Sequence, residues 1–171
     1  TLTIDTVAPT VAIASSVAAV KAGETAVITF TFSEIPAGFA AADVTTTGGT
    51  LSALTVSSTD SKVYTATFTP TASLAAGTAS ITVAASTYTD AAGNNGGAGT
   101  TPALTIDTLA PAVAITSGVA TLKSGATSTI TFTFSEAPTG FDAADVKTDG
   151  GTLSAPVATS DPKVYTATFT A

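Results

Sequence analysis

Hydrophobic and polar residues alternate most clearly over residues 25–33. Ala26, Ile28, Phe30 and Phe32 point one way there, and the opposite face carries the polar residues Thr25, Thr29, Thr31 and Ser33. A period of two is typical of a β-strand that buries one face. The pattern returns at residues 127–135, with Ile130, Phe132 and Phe134 on the apolar face.

Shorter segments of the same kind predict further strands between turn residues. They lie at residues 11–13, 43–47, 50–56, 63–69, 79–83 and 103–107. Residues 19–23 are predicted to form a turn, Gly48-Gly49 a two-residue hairpin, and Phe39 a plug at the end of the core. No segment has a helical period. About seven short strands separated by turns predict an all-β fold, an antiparallel two-sheet β-sandwich.

The chain repeats itself with a period of one small domain. Leu2–Pro9 returns as Leu104–Pro111, and Gly23–Phe39 returns with few changes as Gly125–Phe141, 102 positions later. This period exceeds that of solenoid repeats and suits tandem domains. We therefore predict the last strand of a preceding repeat plus a linker at 1–8, a first repeat at 9–106, and a second repeat at 107–171. The second repeat is predicted to be incomplete because its last two strands are missing.

Composition removes several classes of function. The chain has 12 acidic and 5 basic residues, a net charge of −7, and neither cysteine nor histidine. Disulfides, thiolate or imidazole metal sites and a Ser-His dyad are therefore excluded. An acidic surface repels phosphate backbones, so we expect no nucleic-acid partner. No apolar run approaches the roughly 20 residues that span a bilayer, so we expect no membrane insertion.

Acidic residues are predicted to converge at the ends of the repeats, where successive strands return. The first group is Asp5, Glu34, Asp43 and Asp90, with Asn94 beside them, and the second is Asp107, Glu136 and Asp145. Calcium takes six to eight oxygen ligands from flexible loops, which fits such groups better than magnesium does. The alternative is that each acid acts locally, Asp90 and Asn94 as turn formers and Glu34 as a solvated strand end. Whether Asp142 and Asp149 face the second group stays open.

Several motifs together resemble bacterial Ig-like repeats from the extender regions of large surface adhesins, of the repeats-in-toxin and biofilm-associated types. The motifs are Phe-Ser-Glu-x-Pro-x-Gly-Phe at 32–39, Ala-Ala-Asp-Val at 41–44, Gly-Gly-Thr-Leu at 48–51, Tyr-Thr-Ala-Thr-Phe-Thr-Pro at 64–70, Thr-Asp-Ala-Ala-Gly-Asn at 89–94 and the Ile-Asp-Thr-x-Ala-Pro joint. The resemblance implies Ig-like β-sandwiches, secretion to the bacterial cell surface, and calcium at the joints between repeats. Carried over to this chain, it implies Asp5, Glu34, Asp43 and Asp90 as ligands at the first joint, and Asp107, Glu136 and Asp145 at the second.

Four functions follow from these patterns. The leading hypothesis is a calcium-stiffened spacer whose partners are adjacent repeats of the same chain, with the adhesive tip outside this sequence. The second is a carbohydrate- or protein-binding module, for which Tyr88 is the one prominent loop aromatic. The third is an enzyme using Glu34 and Asp43 as a carboxylate pair; with no flanking base or aromatic subsite, we predict no catalysis. The fourth is a sandwich that a neighbouring chain completes by donating a strand.

Overall fold

The structure is a computed structural model that describes residues 4–171. The chain divides into two compact units, one ending at Leu109 and one beginning at Ala110, here called unit 1 and unit 2. Within the described residues, no helix is long and apolar enough to cross a membrane.

Unit 1 contains ten strands and one short 3-10 helix among the described residues. The strands are Val11–Ser15 (β1), Ala19–Lys21 (β2), Ala26–Phe32 (β3), Val44–Thr47 (β4), Gly49–Leu51 (β5), Thr55–Val56 (β6), Val63–Pro70 (β7), Gly77–Val83 (β8), Gly99–Thr100 (β9) and Leu104–Asp107 (β10). The 3-10 helix is Ala41–Asp43. The predicted all-β class is confirmed.

The strands of unit 1 form two sheets. The first has the order β1-β3-β7-β5, with β6 also paired to β7, and the second has the order β2-β10-β8-β4, with β9 paired to β8. All pairings are antiparallel except that of β10 with β2, which is parallel. Central strand β3 pairs with both β1 and β7, placing Phe30 opposite Ile13 and Tyr64.

The core lies between the two sheets and follows the predicted alternation. The side chains of Ile28, Phe30 and Phe68 are fully buried from the first sheet, and those of Ile81 and Ile106 from the second. Burying such side chains contributes about 1.5–3 kcal/mol each to stability. Phe39 closes one end of the core as predicted, with its ring centroid 4.8 Å from that of Phe32 and 5.3 Å from that of Tyr64.

Three local predictions are wrong. Residues 50–56 were expected to form one strand, but Gly49–Leu51 (β5) and Thr55–Val56 (β6) are separate strands that both pair with β7. Residues 19–23 were expected to form a turn, but Ala19–Lys21 is strand β2, whose Val20 is buried against the core. Gly48-Gly49 was expected to form a hairpin, but β4 and β5 belong to different sheets, so the chain crosses from one sheet to the other there. Gly48 has a φ of 76°, and a Cβ on it would meet the Ile106 side chain and Ala79 backbone. Glycine is therefore required by the crossing.

Unit 2 contains the strands Val113–Ser117 (β11), Thr127–Phe134 (β12), Thr152–Leu153 (β13), Val157–Ala158 (β14) and Val164–Thr170 (β15), with a 3-10 helix at Ala143–Asp145. They form one sheet of order β11-β12-β15-β13, with β14 also on β15. Ile115 is 60% exposed, whereas its counterpart Ile13 is 6% exposed. The apolar face that the second sheet covers in unit 1 is therefore partly open in this unit.

The predicted boundaries at 1–8, 9–106 and 107–171 stay a prediction. Residues 1–3 of the predicted preceding strand lie outside the described residues. Residues 4–10 form no strand, and Ile4 and Val7 are exposed.

Candidate metal centre

Three carboxylates of unit 1 meet at one end of its sandwich. Each of Asp5, Glu34 and Asp90 offers an oxygen, and these three oxygens lie within 4.8 Å of one another. Asp5 is exposed, Glu34 is half-buried and Asp90 is 2% exposed. The arrangement could therefore hold a metal ion through oxygen ligands, and all three residues belong to the first predicted group.

The backbone explains why Glu34 and Asp90 meet although they are 56 positions apart in the sequence. Glu34 is the second residue after β3. The residue between them, Ser33, donates its backbone N–H to the Thr10 carbonyl at 3.0 Å. Three residues later, Ala37 forms a β-bridge with Thr89, the neighbour of Asp90. The end of β3 and the loop after β8 are thus fastened side by side.

Asn94 orders the loop that carries Asp90. Its backbone N–H donates to Asp90 Oδ1 at 2.8 Å and its side-chain Nδ2 donates to Asp90 Oδ2 at 2.6 Å. The same Nδ2 also donates to the carbonyls of Asp5, at 3.1 Å, and Val7, at 3.4 Å. Asn94 therefore joins the backbone of the incoming linker to the loop and holds the carboxylate of Asp90 in place.

The electrostatics of the three acids differ. Burial raises the pKa of Glu34 above its ordinary value, and the negative charges of Asp90 and Asp5 raise it further, while Lys62 opposes them. Burial would also raise the pKa of Asp90, but hydrogen bonds from Asn94 and from the backbone amides of Ala92 and Gly93 outweigh it and lower the pKa. Asp90 is thus held as a carboxylate, and Glu34 is the acid that bears the repulsion.

Asp43, the fourth predicted ligand of the first group, is not part of this triad. Its Oδ2 accepts a hydrogen bond from the Ala40 N–H at 2.8 Å and closes the 3-10 turn at Ala41–Asp43. This is the local role that the sequence had left open as an alternative, since aspartate in a short turn commonly satisfies backbone N–H groups.

The second predicted group, Asp107, Glu136 and Asp145, stays a prediction. Two of the three residues, Asp107 and Asp145, repeat a local hydrogen bond of their counterparts in the first group. Asp107 Oδ1 accepts from the Leu109 N–H at 3.4 Å, as Asp5 Oδ1 accepts from Val7 at 3.0 Å. Asp145 Oδ2 accepts from the Asp142 N–H at 3.0 Å, as Asp43 does from Ala40.

Tyr88 is not a surface platform for a sugar. Its side chain is 2% exposed, its ring packs edge-on against Phe32 with centroids 5.0 Å apart, and its hydroxyl donates to the Gly97 carbonyl at 2.9 Å. The sequence interpretation of Tyr88 as an exposed loop aromatic is wrong, because a glycine-rich loop folds over the ring. Gly96 lies against it so closely that a Cβ there would overlap the ring.

Sequence reasoning also missed the buried contacts of the joint residue Thr108, which is 7% exposed. Its side chain hydrogen-bonds within the loop that joins β7 to β8. The recurrence of threonine at the third position of both Ile-Asp-Thr-x-Ala-Pro joints was the feature that could have pointed to it.

Comparison with known protein families identifies a match over both units. The sequence model of a family described as the bacterial Ig-like domain matches residues 5–106 and again residues 107–171. No curated protein matches the chain.

Proposed function

The chain belongs to the bacterial Ig-like domain family, and we propose that it is a non-catalytic spacer of a bacterial surface adhesin. In this proposal calcium binds where repeats join and stiffens the array, which projects a distal binding domain for adhesion or biofilm formation. The expected location is the extracellular face of the cell, and the expected partners are adjacent repeats of the same chain.

The observation that supports a calcium role is the triad of Asp5, Glu34 and Asp90. Asp5 belongs to the linker that enters unit 1, whereas Glu34 and Asp90 belong to the body of the unit. An ion bound by all three would fasten the linker to the unit. Without an ion the three charges repel one another, and a divalent cation would convert that repulsion into attraction.

Calcium is the cation that this chemistry favours. The ligands are carboxylates on a linker, a strand end and a loop, and calcium accepts such flexible oxygen sets at irregular geometry, whereas magnesium demands near-ideal octahedra. Sites in extracellular modules bind calcium weakly, with Kd on the order of 10⁻⁴–10⁻³ M. A Kd in that range suits a structural ion that the extracellular medium supplies.

Calorimetric titration of the chain with calcium tests the proposal. We expect wild-type binding in the range given above and a loss of affinity of about tenfold or more in Glu34→Gln, since a ligand should matter at least as much as residues that only support one. Glu24→Gln is the matched control, because it removes the same charge from an exposed glutamate outside the triad. Glu136→Gln, titrated in parallel, identifies the part of the binding heat that comes from the second predicted group.

Two results would contradict the proposal. One is an absence of calcium binding at millimolar concentration. The other is an equal titration for wild type and Glu34→Gln, which would place the ion elsewhere on this acidic chain.

A further inference from the structure

Thr108 is unusually buried for a residue of an interdomain joint. Its neighbours Asp107 and Leu109 are exposed, whereas Thr108 is 7% exposed. A polar side chain is buried at a cost unless it makes hydrogen bonds. Its burial therefore indicates a specific attachment of the joint to unit 1.

Three hydrogen bonds make that attachment. The Thr108 hydroxyl donates to the Thr71 carbonyl at 2.6 Å and accepts from the Leu74 N–H at 2.9 Å. The Thr108 N–H donates to the Leu74 carbonyl at 2.9 Å. Both partners lie in residues 71–76, the loop between β7 and β8, and Leu74 packs against the core of the unit.

The loop that receives Thr108 has an unusual backbone. Ser73 has a φ of 57° and Ala76 a φ of 39°, values that residues with a side chain rarely adopt. Such conformations persist where surrounding contacts determine them. The hydrogen bonds from Thr108, on either side of Ser73, are contacts of this kind.

The other end of unit 1 holds its incoming joint by different residues. Asn94 donates to the carbonyls of Asp5 and Val7, and the Gly97 N–H donates to the Pro9 carbonyl at 2.9 Å. The incoming and outgoing joints share the sequence Ile-Asp-Thr-x-Ala-Pro. Unit 1 therefore binds the backbone carbonyls of Asp5 and Pro9 in its incoming joint and the hydroxyl of Thr108 in its outgoing joint.

We infer that Thr108 is a positioning residue that clamps the outgoing joint to unit 1 without a cation. This inference rests on the proposed spacer function. It assigns the stiffness of the array to two separate attachments of each joint. The carboxylate triad holds a joint to the following unit and depends on calcium. The threonine clamp holds a joint to the preceding unit through neutral groups, so it persists in chelator.

Distances between spin labels test the clamp in the full chain. Cysteine is absent, so Thr67→Cys and Thr168→Cys, both at exposed positions, place one label on each unit. In this background we expect Thr108→Val to broaden the interlabel distance distribution with calcium and with chelator alike. Thr108→Ser, which keeps the hydroxyl, should restore the narrower distribution.

The matched control is Thr6→Val, which changes the same position of the incoming joint. Thr6 is exposed, and within residues 4–171 its side chain makes no hydrogen bond. We expect this variant to leave the distribution unchanged. Amide exchange supplies a local readout, in which the Leu74 N–H should exchange about tenfold faster in Thr108→Val, the factor that corresponds to one lost hydrogen bond.

The outcomes separate this inference from the calcium proposal. If Thr108→Val leaves both the distance distribution and the Leu74 exchange rate at their wild-type values, the clamp is refuted, whatever chelator does to the wild type. If chelator leaves the wild-type distribution unchanged while Thr108→Val broadens it, the clamp stands and calcium stiffening of this joint falls, whereas the triad at the incoming joint is tested by the calorimetric titration.

Discussion

At the scale of single residues, Glu34 and Asp90 show how neighbouring acids acquire different roles. Asp90 is fixed by the bonds that Asn94 donates, so its charge is stabilised. Within residues 4–171 no group donates a hydrogen bond to the Glu34 carboxylate. Its pKa is raised by burial and by the charges of Asp90 and Asp5, with Lys62 opposing them. Of the three predicted ligands, Glu34 therefore bears most of the electrostatic repulsion.

This asymmetry predicts a pH dependence. A carboxyl whose folded pKa is raised stabilises the protein fully below its unfolded pKa, and that stabilisation is lost as pH rises through the folded pKa. In chelator, Glu34→Gln should therefore melt at a higher temperature than wild type at neutral pH, with the gap closing as the medium is acidified. In calcium the order should reverse, because the variant loses a ligand.

Thermal melting across this pH range, with Glu24→Gln as the control, checks the prediction. A Glu34→Gln variant that melts below wild type in chelator at neutral pH would show that the carboxylate is already stabilised without an ion.

The acids of the triad were predicted from the sequence, and their outcomes show what such reasoning can reach. Strand parity, meaning the end of the sandwich to which the chain has returned after each successive strand, placed Asp5, Glu34 and Asp90 at one end. The structure brings these three residues together. Asp43 shares that parity, but its carboxylate closes its own 3-10 turn. Parity assigns an end of the sandwich, whereas the direction of a side chain depends on local hydrogen bonds that the pattern does not contain.

At the scale of elements, most strands of unit 1 were predictable from the sequence, whereas the very short strands β2 and β9 were not. The seven residues of β3 alternate between buried and more exposed, whereas β2 has only three residues and pairs in parallel with β10, 86 positions away. The Gly48-Gly49 pair is a genuine turn feature, but a hairpin and a crossing between sheets both require glycine. Only the pairing partners, β8 for β4 and β7 for β5, distinguish them.

The crossing predicts a strict requirement at Gly49. A Cβ on Gly49 would overlap the Thr69 carbonyl and the Phe68 ring, which is fully buried in the core. Overpacking of this kind costs about 1–3 kcal/mol, occasionally more. We expect Gly49→Ala to lower the free energy of unfolding of unit 1 by that amount in urea denaturation.

Gly97→Ala is the control for that substitution, because the nearest atom to its added Cβ is the Pro9 carbonyl oxygen at 3.8 Å, an ordinary contact. Equal stability of the two variants would mean that the strand crossing is looser than described.

At the scale of the whole molecule, two near copies of one sequence are buried to different extents. Ile13 and Ile115 occupy equivalent positions in β1 and β11, opposite Phe30 and Phe132. The first is covered by a second sheet and the second is largely exposed. Sequence repetition therefore predicts the sheet that both units share. The burial of its apolar face depends on whether a second sheet packs against that face.

The pair predicts unequal effects of the same substitution in the 171-residue chain. Ile13→Ala should destabilise unit 1 by about 2–5 kcal/mol, as for a buried aliphatic side chain. Ile115→Ala should change the stability of unit 2 by no more than about 0.5 kcal/mol, as at a surface position. Denaturation followed by amide exchange reports each unit separately, and similar losses in both would show that Ile115 is buried in solution.

The crystal structure of the chain grown in millimolar calcium tests the central claim most directly. The account predicts one ion bound by carboxylate oxygens of Asp5, Glu34 and Asp90, each at about 2.3–2.6 Å, with Asn94 still bonded to Asp90 and to the linker carbonyls. A map without an ion at the triad, with the three carboxylates turned apart into solvent, would contradict it.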